Sequence, residues 1–129
     1  MQTDILPLLT EHAELGEDML EIGPGPGAAT EWLRHRVKRL KVLEIDATAA
    51  ETLAKRYEGS NVEVIVGDAT RLSWPDGSFD SVGMFTMLHH VPTRRLQDAL
   101  LAEALRVLRP GGTLVGSDSL ASERLHAFH

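Results

Sequence analysis

The sequence predicts an α/β fold, one domain built on a mostly parallel sheet of five strands. Three observations predict it. Five apolar runs of strand length recur along the 129 residues. Stretches of good helix formers separate most of them, where an antiparallel sheet would show hairpin turns. Most of the runs are also hydrophobic throughout, as strands covered on both faces must be, instead of alternating between apolar and polar positions.

Taken in order, "MLEI" (Met19 to Ile22) is a short apolar run bounded by glycine, a buried strand. Ala28 to Arg39 follows as a helix, with Trp32, Leu33, Val37 and Leu40 at roughly helical spacing. "LKVLEI" (Leu40 to Ile45) is the second strand. Asp46 stands where an N-cap belongs, and "ATAAETLAKRY" (Ala47 to Tyr57) is the helix it opens. "VEVIVG" (Val62 to Gly67) is β-branched and forms the third strand. "WPDGSFD" (Trp74 to Asp80) is turn chemistry, with Trp74 read as a lid on that turn. "SVGMFTML" (Ser81 to Leu88) is a fourth strand running into a loop. Pro92 and Thr93 open a helix whose Leu96, Leu100, Ala104 and Leu108 lie four apart on one stripe. "RPGG" (Arg109 to Gly112) stops it, and "TLVGSDS" (Thr113 to Ser119) is the fifth strand. In the last helix Glu103 and Arg106 are spaced as an i, i+3 surface pair.

The totals narrow the function. With 43% hydrophobic and 25% charged residues, the chain has the composition of a globular protein able to bury a core. A formal net charge of -6 argues against general affinity for nucleic acid, which needs a basic field to displace counterions. Cysteine is absent, so there is no disulfide framework, thiolate metal site or thiol nucleophile, and a cytoplasmic location is expected. The first twenty residues carry Asp4, Glu11, Glu14, Glu17 and Asp18 and no run resembling a signal peptide. No apolar stretch approaches the roughly 20 residues of a membrane span.

The stretch "DMLEIGPGPGAAT" (Asp18 to Thr30) carries the first chemical signal. A glycine-rich turn between a strand and a helix brings bare backbone N–H groups against a ligand. Gly23, Gly25 and Ala28 satisfy the loose G-x-G-x-x-G/A pattern of nucleotide loops, and Gly27 adds a further glycine. Glu44 ends the second strand, 21 residues beyond Gly23, where a carboxylate can accept from both hydroxyls of a ribose. The third strand ends "GDAT". Asp68 there is either a turn residue or an acceptor for an exocyclic adenine amine, with the Ala69 N–H in reach of a ring nitrogen. Ligands of open α/β sheets bind outside the carboxyl ends of the strands, so these three places should converge.

"LEIGPGPG", "LEID", "GDAT", "FDSVGMFTMLHHV" and "LRVLRPGGTLV", in that order, resemble the motifs of class I S-adenosylmethionine-dependent methyltransferases. The resemblance covers roughly residues 18 to 118 and is closest to small-molecule enzymes of the ubiquinone and menaquinone biosynthesis type. It implies a Rossmann-like three-layer sandwich with strand order 3-2-1-4-5. It implies S-adenosylmethionine as cofactor and S-adenosylhomocysteine as product. Glu21, Gly23, Gly25 and Gly27 would hold the methionine part of the cofactor, and Glu44 the ribose with Ile45 packed on adenine. Asp68 and Ala69 would read the adenine edge. Backbone at Phe85 would meet the methionine amino group, and Leu88 would cover the cofactor. His89 and His90 follow the fourth strand near where the methyl should point, and either could serve as a base. No metal is expected, since the remaining histidines (His12, His35, His126, His129) show no ligand spacing.

The chain departs from that pattern at its ends. About 17 residues precede the first strand and about ten follow the fifth, so the antiparallel hairpin that usually finishes the sheet is missing. The expectation is a single cofactor-binding core over residues 1–129, truncated at its C-terminus, with a fifth-strand edge open to dimerisation with another copy. The functional expectation is methyl transfer to a small molecule by in-line displacement, with neither nucleic acid nor membrane as partner. The "NPPY"-like signature of base-amine methylation is replaced by "FTML". A second reading is a cofactor-binding core without activity of its own. A third, a nicotinamide-dependent oxidoreductase, accounts for the glycine loop and Glu44 but for neither Asp68 nor "LHHV".

Overall fold

A computed structural model describes residues 14–25, 27–84 and 93–116. The strands are β1 (Asp18–Ile22), β2 (Arg39–Glu44), β3 (Val62–Val66), β4 (Phe79–Met84) and β5 (Leu108–Gly116). Helices α1 (Ala28–Leu33) and α2 (Ala47–Arg56) follow β1 and β2, and α3 (Arg94–Val107) precedes β5. All four strand pairings are parallel and the order is 3-2-1-4-5. This is the Rossmann-like arrangement expected. The hairpin expected to be missing after β5 concerns residues 117–129, which lie outside the described residues.

The pleat sorts the apolar residues into two cores. Leu20, Ile22, Leu43, Val82, Met84 and Leu114 point to one face, where Leu100, Leu101, Ala104 and Val107 of α3 cover them. Met19, Leu40, Val42 and Val115 point to the other, under Ala29 and Leu33 of α1. Helix α2 lies beside α1, since the Tyr57 hydroxyl donates to Glu31 at 3.2 Å. Trp74 packs edge-on against Phe79 at 5.2 Å between ring centres and closes the α3 core, so it is the turn lid expected.

Three elements differ from expectation. Helix α1 stops at Leu33 instead of running to Arg39. The Asn61 side chain donates to the carbonyls of Arg34 and Val37 at 2.7 and 3.0 Å, which drains the acceptors a longer helix would need. On α3 the buried stripe is Leu100, Leu101, Ala104 and Val107, while Leu96 is 40% exposed. A spacing of four overshoots the 3.6-residue turn, so a strict i+4 row drifts off the core face. Strand β5 begins at Leu108, and "RPGG" forms an irregularity in it: Phe79 pairs with Leu108, but Ser81 pairs with Thr113.

The capping expectations hold. Asp46 Oδ2 accepts the Ala49 N–H at 2.7 Å, and Thr93 Oγ1 accepts the Leu96 N–H at 3.1 Å.

Candidate functional site

The carboxyl ends of β1, β2 and β3 finish level with one another. Ile22 pairs with Leu43, and Glu44 with Val66. The ladder runs one step beyond the strands: Gly23 N–H donates to the Leu43 carbonyl at 3.0 Å and Gly67 N–H to the Glu44 carbonyl at 3.1 Å. The glycine loop, Glu44 with Ile45, and Asp68 with Ala69 therefore occupy one edge on three adjacent strands. Two inter-strand spacings make that row about 10 Å wide, the scale of a nucleoside.

Beneath the loop lies Glu21, whose carboxylate is 1% exposed. It is buried because the β1 pleat turns it to the α1 face. The Thr30 hydroxyl donates to its Oε1 at 2.5 Å, and its Oε2 has no partner among the described residues. Burial pushes the carboxyl up to about 7, against the opposing pull of the Thr30 hydrogen bond. An orphaned oxygen this deep is costly unless a donor meets it.

The loop above it is held in left-handed backbone, with φ of 67° at Gly23, 57° at Gly25 and 95° at Gly27. Gly27 has two reasons to be glycine. Its φ excludes an ordinary side chain, and a Cβ there would come within 3.0 Å of the Arg56 guanidinium and 3.1 Å of Leu53. It caps α1 without a side-chain hydrogen bond.

Glu44 is half-buried, and its Oε2 accepts the Asp46 N–H at 2.9 Å, which turns the carboxylate across the strand end. Ile45 follows with 66% of its surface exposed, and Val66 on the neighbouring strand has 55%. Asp68 is exposed, and its Oδ1 accepts both the N–H and the hydroxyl of Thr70, at 2.9 and 2.7 Å. Those two donors, the N–H first, hold its carboxyl below the usual range. It is thus a turn residue, and its second oxygen is not used by that turn. Ala69 is buried in the α3 core.

The structure brings together Glu21, Gly23, Gly25, Gly27, Glu44, Ile45, Asp68 and Ala69. Phe85, Leu88, His89 and His90 lie outside the described residues. Sequence reasoning missed Thr30, whose partner role depends on Glu21 being buried beside it. Glu103 and Arg106 are more than the surface pair expected, because both also bond the coil after β3. No helix among the described residues is long and apolar enough to cross a membrane, and no cluster of potential metal ligands occurs among them.

A family model described as "Methyltransferase domain" matches residues 20–116. The chain belongs to this methyltransferase family. Its class is that of S-adenosylmethionine-dependent enzymes with the class I fold. The N-methyltransferase NodS from Bradyrhizobium japonicum WM9, solved with S-adenosylhomocysteine, superposes with a TM-score of 0.78. It is 25% identical, over 95% of this chain and 63% of that one. A SAM-dependent methyltransferase from Methanosarcina mazei superposes with a TM-score of 0.72 at 28% identity, over 84% and 56%. Among curated relatives, the "Probable ribosomal RNA small subunit methyltransferase A" of Pyrobaculum islandicum is 44% identical over 77 residues, 60% of this chain. The protein of the same name from Pyrobaculum aerophilum is 35% identical over 116 residues, 82% of this chain. The chain spans 32% of the first relative's length and 50% of the second's.

Two expectations fall here. The methyltransferase family excludes the nicotinamide reading. The relatives' names overturn the expectation of a small-molecule acceptor and no nucleic-acid partner. That expectation leaned on the resemblance to small-molecule enzymes, on "FTML" in place of an "NPPY"-like signature and on the net charge of -6. A charge counted over a chain spanning a third of a relative's length does not describe the whole relative's surface, and a basic field is a property of the whole surface.

Proposed function

We propose that the chain is one cofactor-binding unit of an S-adenosylmethionine-dependent methyltransferase, and that its site is the carboxyl edge of β1, β2 and β3. The observation that carries this is the buried Glu21 with its unpartnered Oε2. A buried carboxyl group with one oxygen left without a donor suits a ligand bearing an ammonium group, and the amino-acid end of S-adenosylmethionine has one. When bound, that cofactor supplies a methyl already activated by its sulfonium.

The chain's own residues would do the rest. Glu21 would accept from the ammonium, and the bare backbone from Gly23 to Gly27 would let the amino-acid end approach closely. Glu44 would accept from the ribose hydroxyls, held in orientation by the Asp46 N–H. Ile45, exposed beside it, would cover a face of adenine. Asp68 would accept from the exocyclic amine with the oxygen its turn does not use, and the Ala69 N–H would meet a ring nitrogen. Phe85 and Leu88 extend the reading toward the sulfonium, and His89 or His90 would take a proton from the acceptor; these four roles rest on the family resemblance. Alignment of nucleophile and methyl is the main task, and orientation of that kind lowers barriers by about 7 kcal/mol in good cases.

The acceptor class that the relatives' names support is ribosomal RNA. A second reading, a cofactor-binding unit inactive by itself, is favoured by the 32% of the first relative's length that the chain spans. Calorimetry with S-adenosylhomocysteine, followed by transfer of labelled methyl to small-subunit ribosomal RNA, separates the two. Binding with transfer supports the first reading, and binding without transfer the second. No binding at all defeats both.

A further inference from the structure

The coil joining β3 to β4, residues 67–78, carries Asp68 and Ala69 at its start and has no helix of its own. Ordered coil must still find partners for its backbone polar groups. Near Asp68 the turn supplies them: Thr70 N–H donates to Asp68 Oδ1, and Arg71 N–H to the Asp68 carbonyl at 3.0 Å. Further along they come from α3. Glu103 Oε1 accepts the Leu72 N–H at 2.8 Å, and Arg106 Nη2 donates to the Leu72 carbonyl at 3.0 Å. Both backbone groups of one coil residue are thus held by neighbouring side chains of one helix.

The same guanidinium has three further bonds. It donates to both oxygens of Glu103, at 2.8 and 3.1 Å, and to Asp76 Oδ1 at 2.9 Å. The Arg106 carbonyl accepts the Gly77 N–H at 2.9 Å. An isolated surface ion pair contributes little, but this one is bidentate and tied into backbone. Below it, Ala69 and Leu72 are buried in the core that Leu100, Leu101 and Ala104 of α3 help to form. The coil is therefore anchored on α3 from its apolar side and its polar side together.

Glu44 and Asp68 are consequently placed by different devices. Sheet register places Glu44. Asp68 lies past the last strand pair, and its coil takes its position from a helix that leads into β5, the strand at the opposite edge of the sheet. We propose that Glu103 and Arg106 are positioning residues for the adenine end of the cofactor, fixing Leu72 and through it the Asp68–Ala69 turn. The proposal rests on the reading of Asp68 as an adenine acceptor. Neither side chain touches the ligand.

The test compares the calorimetric affinities of the full chain for S-adenosylhomocysteine and S-inosylhomocysteine, in which a carbonyl oxygen replaces the exocyclic amine. The unsubstituted chain should prefer adenine by about tenfold or more, the worth of a hydrogen bond to a charged group. Asp68→Ala should abolish the preference. Arg106→Ala should reduce it to within about twofold, and adding Asp68→Ala should remove nothing more, as for residues acting through one contact. Glu103→Gln, which keeps an acceptor for the Leu72 N–H, should lower the preference part-way while affinity for S-inosylhomocysteine holds; it gives the same reading should Arg106→Ala fail to fold. Variants that melt earlier yet keep the full preference overturn the proposal and leave the adenine reading intact. An unsubstituted chain without preference, insensitive to Asp68→Ala, overturns both.

Discussion

At the amino end of the sheet, Asp80 accepts the N–H groups of Glu17 and Asp18 on Oδ2, at 2.9 and 3.0 Å, and the Arg109 guanidinium on Oδ1 at 2.7 Å. At the carboxyl end, Glu21 holds a buried oxygen with no partner among the described residues. The contrast runs through both ends. Ser81 Oγ donates to the Leu15 carbonyl and Thr113 Oγ1 to that of Glu14, both at 2.8 Å, while Arg39 pairs with Asp18. Across the sheet lie three left-handed glycines, an apolar Ile45 in the open and an Asp68 oxygen its turn leaves unused. One end has its polar groups satisfied by the chain. The other leaves Glu21 Oε2 without a partner among the described residues, so on the proposed reading substitutions should separate stability from affinity by position.

The largest effect should come from breaking the satisfied end. Asp80→Ala strands two backbone N–H groups and a guanidinium, and should cost about 3 kcal/mol of stability in urea unfolding. Affinity of the folded fraction for S-adenosylhomocysteine should stay unchanged. The Asp18 and Glu17 N–H groups, then Arg109, hold the Asp80 carboxyl below its usual 3.8. A depressed folded pKa means this stabilisation is present above about pH 4 and is lost as pH falls through the folded value.

Glu21 should behave in the opposite sense. Its folded pKa is raised from 4.5 to about 7, so the folded state holds the extra proton. The protein should therefore lose up to about 3 kcal/mol from this group as pH rises from 4.5 to 7, with no further loss above. Glu21→Gln should flatten that slope and raise the melting temperature at pH 8, while weakening S-adenosylhomocysteine. In the unsubstituted chain, affinity should rise with pH between 5 and 7, because the ammonium is met by the charged carboxylate; calorimetry in two buffers should show a proton released on binding. A flat pH profile would mean that Glu21 does not meet the ligand.

A third substitution tests the opposite end without touching the core. Glu44→Ala with Asp68→Ala removes two carboxylates whose bonds among the described residues are to their own turns, so stability should move by no more than about 0.5 kcal/mol per site. Affinity for S-adenosylhomocysteine should fall on the order of a hundredfold, for two hydrogen bonds involving charged groups. Loss of stability without loss of affinity would show that the row of strand ends is scaffold.

The two ends were unequally legible in the sequence. The strand order and the placing of Gly23, Glu44 and Asp68 at one carboxyl edge could be read, because each lies at the end of an apolar run of strand length. Asp46 was legible as a cap, and Pro92 with Thr93 as a helix start, because such signals act within four residues of themselves. What could not be read depends on contacts distant in sequence. The shortening of α1 follows from Asn61, more than twenty residues on. The second role of Glu103 and Arg106 depends on Leu72, about thirty residues back. That Glu21 keeps an unpartnered oxygen depends on which face of β1 meets α1. The expectation of no nucleic-acid partner failed for another reason: net charge was taken as a property of a whole molecular surface, although the chain spans 32% of the first relative's length.

The smallest expected effect separates the two ends most cleanly. Ile45, the residue after β2, exposes 66% of its surface, against 0% for Leu40 near the start of that strand. Burying apolar surface stabilises; leaving it in water does not, so Ile45→Ser should change stability by less than about 0.5 kcal/mol. If the side chain exists to cover adenine, the same substitution should weaken S-adenosylhomocysteine about fivefold, the worth of roughly one buried methylene or slightly more. Leu40→Ser should reverse the pattern, with stability down by about 3 kcal/mol and affinity per folded molecule intact. Two apolar residues five positions apart, one in β2 and one just past it, would then report different things, one the core and the other the ligand. Equal affinities for the Ile45→Ser variant and the unsubstituted chain would return Ile45 to the ordinary class of exposed apolar residues, which need no explanation.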